Sequence, residues 1–156
     1  MGYDLGMNSE IVEFKPEYAG QVKQVIHVTL NDVGLTFGEI GIQDDSDLDH
    51  ISDKFRGRAR FWVMMRGEKV IGTVGVAEID QNEARLKRMF VLPEYHGKNI
   101  GQRLLNHAMR FAKEQGYRKV TLNTDPKMKR AHGFYEKNGF RIFNKSKERY
   151  SYEKYL

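Results

Sequence analysis

The segment that decides the fold is Val91-Leu-Pro-Glu-Tyr-His-Gly-Lys-Asn-Ile-Gly101-Gln-Arg-Leu-Leu105. Its pattern predicts a strand that stops at Pro93, a short glycine-containing loop, and then a helix. The apolar residues of that helix recur at helical spacing: Ile100, Leu104, Ala108, Phe111 and Ala112. The start of a helix offers unpaired N–H groups and the positive end of the helix dipole, and both favour phosphate oxygens. Taken alone, the segment predicts either a phosphate site or a plain strand–turn–helix corner.

The loop differs from two common phosphate-binding loops. It lacks the spacing and the Gly-Lys-Ser/Thr ending of a Walker loop, and the chain has no Gly-x-Gly-x-x-Gly motif. Gly97 and Gly101 nevertheless let a ligand approach the backbone closely, because glycine has no Cβ.

A second segment, Ala131-His-Gly-Phe-Tyr135-Glu-Lys-Asn-Gly139-Phe140, lies one βα unit further along the chain. The two segments, in this order and at this separation, resemble the GNAT superfamily of acetyl-CoA-dependent N-acyltransferases. Phe61-Trp62-Val63 and Val70-Ile71-Gly72-Thr73-Val74 also resemble the second and third strands of that family. The resemblance is close over about residues 60–143 and rests on element order alone before them.

The resemblance implies an α+β fold in three layers (α/β/α), with a mixed, mostly antiparallel sheet of about seven strands and about four helices. Residues 1–156 are expected to form one domain, with fraying at 1–8. The patterns predict strands at 11–14, 60–65, 70–79, 84–92, 119–123, 141–144 and 150–155. They predict helices from Pro16 through Leu30, from Asp45 or Ser46 through Phe55, from Ile100 to Gly116, and over 129–137, with a loop at 31–44.

The resemblance also implies which residues contact the cosubstrate, acetyl-CoA. In the family the first segment holds the pyrophosphate, and the pantetheine arm lies along the fourth strand. Tyr135 is implied as a catalytic residue beside the thioester sulfur, although a core aromatic beside Phe134 is the alternative. The expected acetyl-CoA contacts are Met89, Phe90, Val91, Gly97, Lys98, Asn99, Ile100, Gly101, Gln102, Asn123 and Tyr135.

Three positions depart from the family pattern. His96 stands where the loop usually begins with Arg or Gln, Asn99 replaces the middle glycine, and Met128 replaces an asparagine before the second segment. Asparagine tolerates a left-handed backbone better than most residues, so the loop is expected to keep its geometry.

The base that deprotonates the acceptor is less well defined by the sequence. Many family members use a glutamate six residues before the equivalent of Val91, and that position is Arg85 here. Glu83 lies two residues earlier and therefore on the same strand face, so it is the predicted catalytic base. The alternatives that remain open are Glu78, His27, His132 and ordered water.

Composition narrows the function classes. The chain has 156 residues, no cysteine and a net charge of +5. Without cysteine there is no disulfide, zinc-thiolate site or acyl-cysteine intermediate, so acyl transfer is expected to be direct and no metal is predicted. No apolar run reaches membrane-spanning length, and a cytoplasmic location is expected. The basic residues crowd the C-terminal third, where they face either cofactor phosphates or solvent.

The leading hypothesis is an N-acetyltransferase that moves an acetyl group from acetyl-CoA to a primary amine of a small molecule. The chain is expected to act as a monomer or homodimer, without a nucleic-acid or membrane partner. The alternatives are a non-catalytic acyl-CoA-binding or regulatory module and a basic nucleic-acid-binding domain, although the latter lacks a recognition motif. An acidic segment either attracts a cationic acceptor or forms a solvated loop and helix cap. It comprises Glu39, Asp44, Asp45, Asp47 and Asp49.

Overall fold

The computed structural model describes residues 8–35 and 46–156. The strands are β1 (Ser9–Glu13), β2 (Arg60–Arg66), β3 (Lys69–Glu78), β4 (Glu83–Val91), β5 (Lys119–Thr124), β6 (Arg141–Lys145) and β7 (Tyr150–Tyr155). The α-helices are α1 (Ala19–Asp32), α2 (Ser46–Asp49), α3 (Ile51–Lys54), α4 (Ile100–Glu114) and α5 (Lys129–Lys137). Single 3-10 turns cover Pro16–Tyr18 and Pro93–Tyr95.

The strands form one sheet in the order β1-β2-β3-β4-β5-β7-β6. Every neighbouring pair is antiparallel except β4 and β5, which are parallel. Helices α1 and α4 both contact β3 and β4. The predicted fold class, a mostly antiparallel mixed sheet with flanking helices, is confirmed.

Other elements pack closely on β3 because two of its positions lack side chains. A Cβ on Gly72 would lie 2.9 Å from Leu104 of α4. On the other face of the sheet, a Cβ on Gly75 would lie 2.9 Å from Phe61 and 3.0 Å from Phe55. The apolar side predicted for the first helix is also buried: Val22, Val25, Ile26 and Leu30. Both faces of β3 are therefore covered, and the hydrophobic core lies on both sides of the sheet.

The sheet opens between its two parallel strands. β4 and β5 pair only at their beginnings, where Glu83–Arg85 lie beside Lys119–Thr121. Further along, β5 pairs with β7 on its other side, through Leu122–Thr124. The second half of β4 consequently has an open edge, with backbone groups that no described strand uses.

A β-bulge bends β4 where this open edge begins. Two of its residues, Arg88 and Met89, lie opposite a single residue of β3, Val74. Arg88 has a φ of +53°, in the left-handed region, and the Thr73 hydroxyl donates a 2.7 Å hydrogen bond to the Arg88 carbonyl. A bulge turns its strand away from the regular ladder, so Met89–Val91 are directed differently from the first half of β4.

One predicted helix differs from the structure. The continuous helix expected from Ser46 through Phe55 is wrong, because His50 has φ −133° and ψ 37° and separates α2 from α3. The loop expected at 31–44 is also partly wrong, since α1 continues to Asp32, and residues 36–44 of that loop lie outside the described residues. The fraying expected at the N-terminus lies outside them as well, except for Asn8. In the described part of the chain, no helix combines the length and apolar character needed to cross a membrane.

Candidate active site

A cavity of about 730 Å³ borders the part of β4 that has separated from β5. Its walls come from the end of α1, the end of β4, the following loop, the start of α4, and α5. Most of the predicted acetyl-CoA contacts line it: Met89, Phe90, Val91, Gly97, Asn99, Ile100, Gly101, Gln102 and Tyr135. The two sequence segments that predicted the fold therefore meet at one cavity.

The loop before α4 has the backbone that its sequence predicts. Gly97 and Asn99 have φ values of +77° and +67°, so both are left-handed, and Asn99 is the residue just before the first turn of α4. The expectation that asparagine keeps this loop geometry is confirmed. The N–H groups of the first turn, Ile100 to Gln102, have no acceptor within the helix, and these residues line the cavity. The loop and helix start thus form a candidate anion site.

The cavity is electrostatically polarised. Its α5 side carries four cationic residues, namely Lys127, Lys129, Arg130 and Lys137. Its α1 side carries Asp32, which is the only acidic residue among the described residues that line it. The cationic residues therefore suit phosphate groups, and Asp32 suits a cation.

The open edge of β4 is fixed by contacts from two other elements. The Leu92 N–H donates to the carbonyl of Ile71 in β3, at 3.0 Å. The carbonyl and N–H of one planar trans peptide unit point in opposite directions, so the Val91 carbonyl faces away from β3. The ring Nε2 of His96 lies 2.8 Å from this carbonyl, and the Thr29 hydroxyl of α1 approaches it at 3.4 Å. The end of β4 is thereby tied to the loop and to α1.

Tyr135 joins the cavity to the core. Its ring contacts Phe134, Phe140 and Tyr152, with centroid separations of 5.6, 5.7 and 6.3 Å. The residue is 7% exposed, and burial raises the pKa of its phenol well above the usual value. The hydroxyl is therefore neutral near pH 7 and keeps a proton that it can donate in a hydrogen bond. Both readings made from the sequence describe part of its environment, because Tyr135 packs in the core and also lines the cavity.

Two predicted acetyl-CoA contacts are not brought to the cavity. Lys98 is exposed on the loop, and Asn123 is exposed on β5, where its side chain accepts a 2.8 Å hydrogen bond from the Ser151 hydroxyl of β7. Neither lines the cavity. The side chain of Gln102 donates to Asn138 and Asn106, at 2.7 and 2.9 Å, and so connects α4 to α5.

The predicted base, Glu83, also lies outside the cavity wall. It stands at the paired beginning of β4, where its carboxylate accepts a 2.8 Å hydrogen bond from the Thr121 hydroxyl. Arg85 and Lys119 approach the same carboxylate at 3.5 and 3.6 Å. Arg85, which replaces the family glutamate, donates from Nε to the same Thr121 hydroxyl at 3.3 Å. The carboxylate is thus part of a charged network across β4 and β5.

The other candidate bases also lie elsewhere, since none of them lines the cavity. Glu78 forms an ion pair with Arg58, and His27 is exposed on α1. The ring of His132 is packed beside Tyr150, at a centroid distance of 4.8 Å, and its Nε2 lies 2.9 Å from the Asp125 carbonyl. Among the described residues, no cluster of three or more His, Asp or Glu side chains could hold a metal ion.

Sequence reasoning missed Asp32. The residue lies at the start of the loop predicted at 31–44, and the acidic segment considered as an acceptor site comprised only residues that follow it. Of these, Glu39, Asp44 and Asp45 lie outside the described residues, and Asp49 pairs with Lys23 of α1. Asp32 carries one available signal, because an acid in the last turn of a helix opposes the helix dipole.

Comparisons with known proteins agree with this geometry. Residues 30–140 match the family model described as acetyltransferase (GNAT) family. Human N-acetyltransferase 8B is 36% identical over 86 residues, which are 52% of this chain and 38% of that protein, so the chain spans well under half of this relative. An acetyltransferase from Streptococcus agalactiae superposes with a TM-score of 0.84 at 26% identity, covering 96% of this chain and 99% of that one. The PaiA N-acetyltransferase from Thermoplasma acidophilum, solved in complex with coenzyme A, shares the fold, with a TM-score of 0.78 at 19% identity and coverage of 95% and 99%. The chain belongs to the acetyltransferase (GNAT) family.

Proposed function

We propose that the protein transfers an acetyl group from acetyl-CoA directly to a primary amine of a small molecule. One observation carries the proposal: the candidate anion site before α4, the open edge of β4 and Tyr135 all border one cavity. A phosphate site, an extended edge and a neutral donor are the three features that an acyl-CoA thioester requires. The family membership supports the same chemistry.

The phosphates of acetyl-CoA would lie between the loop and α5. N–H groups at the start of α4 suit the pyrophosphate, and the four cationic residues on the α5 side add attraction for further phosphate charge. The coenzyme A bound to the Thermoplasma neighbour, which has the same fold, supports this choice of cosubstrate. The phosphates would thereby be the ligand of part of the net positive charge of the chain.

The pantetheine arm would lie along the open edge of β4. This arm contains two amides, and an extended amide chain can pair with a free strand edge as another strand would. Met89 and Val91 lie beyond the bulge and line the cavity, so their backbone groups are the proposed partners. A backbone N–H in this stretch also supplies a donor for the carbonyl oxygen of the thioester as negative charge develops on it.

Tyr135 would donate a hydrogen bond to the thioester sulfur. Because burial raises its pKa, full proton transfer to a thiolate, whose usual pKa is about 8.5, is unfavourable. The amine nitrogen attacks the thioester carbon, the C–N bond forms and the C–S bond breaks. An ammonium that becomes an amide gives up two protons, of which one ends on sulfur and one goes to solvent. With no cysteine in the chain, this direct transfer needs no acyl-cysteine.

A thiol-release assay with acetyl-CoA and a panel of small amines tests the proposal. We expect release of one thiol for each acetylated amine, with the product identified by mass spectrometry. A thermal shift with acetyl-CoA but no thiol release with any amine would favour the non-catalytic acyl-CoA-binding alternative. A steep salt-dependent affinity for DNA or RNA, without any acetyl-CoA shift, would favour the nucleic-acid alternative.

A further inference from the structure

Asp32 differs in both charge and position from the cationic residues of the cavity wall. It is the last residue of α1 and lines the cavity, whose cationic residues belong to a different element, α5, and the segment just before it. No other carboxylate is present among the described residues that line the cavity. The cationic residues of this lining are Lys127, Lys129, Arg130 and Lys137. The phosphates of acetyl-CoA and a positively charged acceptor would therefore be matched by charges on two different elements of the cavity wall.

The position of Asp32 is unfavourable for the helix that carries it. The C-terminal end of a helix bears partial negative charge, so an acid there is destabilising. α1 has no basic residue in its last turn to compensate for this charge. A local rule that is broken without a structural gain is characteristic of functional positions. The helix end therefore gives a second argument, independent of the cavity, that the carboxylate has a ligand.

From these two observations we infer that Asp32 binds the ammonium group of the acceptor and holds it beside the thioester. The inference rests on the proposed acetyl transfer and adds that the acceptor is a cationic primary amine. A carboxylate oxygen of Asp32 accepts a charge-assisted hydrogen bond from the ammonium. The nitrogen then loses a proton, attacks the thioester carbon and displaces the sulfur, with the same proton balance as above.

The test compares charged and neutral acceptors in matched variants. Asp32→Asn keeps the shape of the side chain and removes its charge, Asp32→Glu keeps the charge, and Asp53→Asn is a control on α3. Asp53 is 80% exposed at its side chain and does not line the cavity. Each variant is assayed with an alkylamine that the wild type acetylates, which is an ammonium ion at pH 7. Each is also assayed with the corresponding alkoxyamine, which is neutral at pH 7.

We expect Asp32→Asn to lower kcat/KM for the alkylamine by about ten- to a hundred-fold, the loss typical of a charge-assisted hydrogen bond. The loss should appear mainly in KM, and the KM for acetyl-CoA should be unchanged. The alkoxyamine should be used almost as well as by the wild type. Asp32→Glu should recover part of the loss, and Asp53→Asn should behave like the wild type.

A second measurement does not depend on activity. Removing an acid from the end of α1 should raise the melting temperature of Asp32→Asn by about 1 to 4 °C. A variant that is more stable but poorer with the ammonium substrate would match the inference. Equal losses with charged and neutral acceptors, an unchanged kcat/KM for the alkylamine, or a lower melting temperature would each overturn it. If the wild type releases no thiol with any amine, the proposed function fails instead. Calorimetry then still decides the role of Asp32, because it measures whether Asp32→Asn loses the binding of an alkylammonium ion that the wild type binds.

Discussion

The ring Nε2 of His96 lies 2.8 Å from the carbonyl oxygen of Val91, five residues earlier in the chain. A carbonyl can only accept, so this bond requires the tautomer with its proton on Nε2. The contact connects the last residue of β4 to the loop that precedes α4. The contact therefore fixes the open edge of β4 and the candidate anion site relative to each other. The two would hold different parts of the same acetyl-CoA molecule.

His96→Leu should weaken acetyl-CoA binding by about five- to ten-fold. Loss of one hydrogen bond near 1 kcal/mol would release the loop from the strand and leave the Val91 carbonyl without this donor. His96→Gln, which can donate from its side-chain amide, should retain most of the affinity. Isothermal titration calorimetry measures the difference. Tighter binding by His96→Leu would show instead that the ring competes with the ligand for the carbonyl.

Gly101→Val should fold but lose the thermal shift given by acetyl-CoA. A Cβ at this position would lie 3.8 Å from Met89, Phe134 and Val91, which is ordinary contact, so the protein itself can accept a small side chain. The β-branched side chain would, however, extend into the anion site. The matched control is Gly20→Val, at a helical glycine with open space around its Cβ position. A Gly101→Val variant with a wild-type shift would place acetyl-CoA elsewhere.

Tyr135→Phe should slow the chemical step by about ten- to a thousand-fold while acetyl-CoA affinity is retained. The substitution keeps the ring contacts with Phe134 and Phe140 and removes only the donor. Single-turnover rates separate this step from product release. An unchanged single-turnover rate would assign Tyr135 to the core alone, and a large loss of affinity would make the hydroxyl a binding contact.

The protein should lose stability in alkali because of its buried phenols. Burial raises the pKa of Tyr135, and burial together with a 2.9 Å hydrogen bond to Glu136 raises the pKa of Tyr152 to about 12. A raised folded-state pKa stabilises the fold below the unfolded pKa near 10, and this contribution is lost as pH rises above it. The free energy of unfolding should fall by about 1.4 kcal/mol per pH unit for each tyrosine. Urea titrations between pH 8 and 11 should show a shallower fall for Tyr135→Phe, and an equal slope would contradict the shift.

Glu83→Gln should change the chemical step far less than Asp32→Asn changes use of the charged acceptor. The carboxylate of Glu83 lies outside the cavity wall and is held by Thr121, Arg85 and Lys119. The main effect should be lower stability, because Arg85 and Lys119 would lose the charge of Glu83, and among the described residues only Lys119 keeps a second carboxylate nearby, that of Glu153. Steady-state kinetics and thermal melting measure the two effects. A rate loss of about a hundred-fold or more without destabilisation would support the catalytic base predicted from the sequence.

Local sequence patterns were sufficient for most of the elements. α5 and β7 have the predicted bounds, and the other predicted strands differ from the structure by one or two residues at one or both ends. The left-handed Asn99 was also predictable, since the constraint lies within the residue and its backbone. These features depend on periodicity, turn chemistry and capping, which act between residues a few positions apart.

The site depended on contacts between residues far apart in the chain. Glu83 and Arg85 share a strand face, as period two requires, but the register with β5 directs both to Thr121 rather than to the cavity. No pattern within residues 19–32 shows that the end of α1 reaches the same cavity as α5. The sequence by itself determined most of the elements, the left-handed loop before α4 and the family resemblance, because short-range backbone preferences encode them. Only the tertiary structure decided which charges face the cavity, because strand register, the bulge in β4 and the separation from β5 set the direction of each side chain.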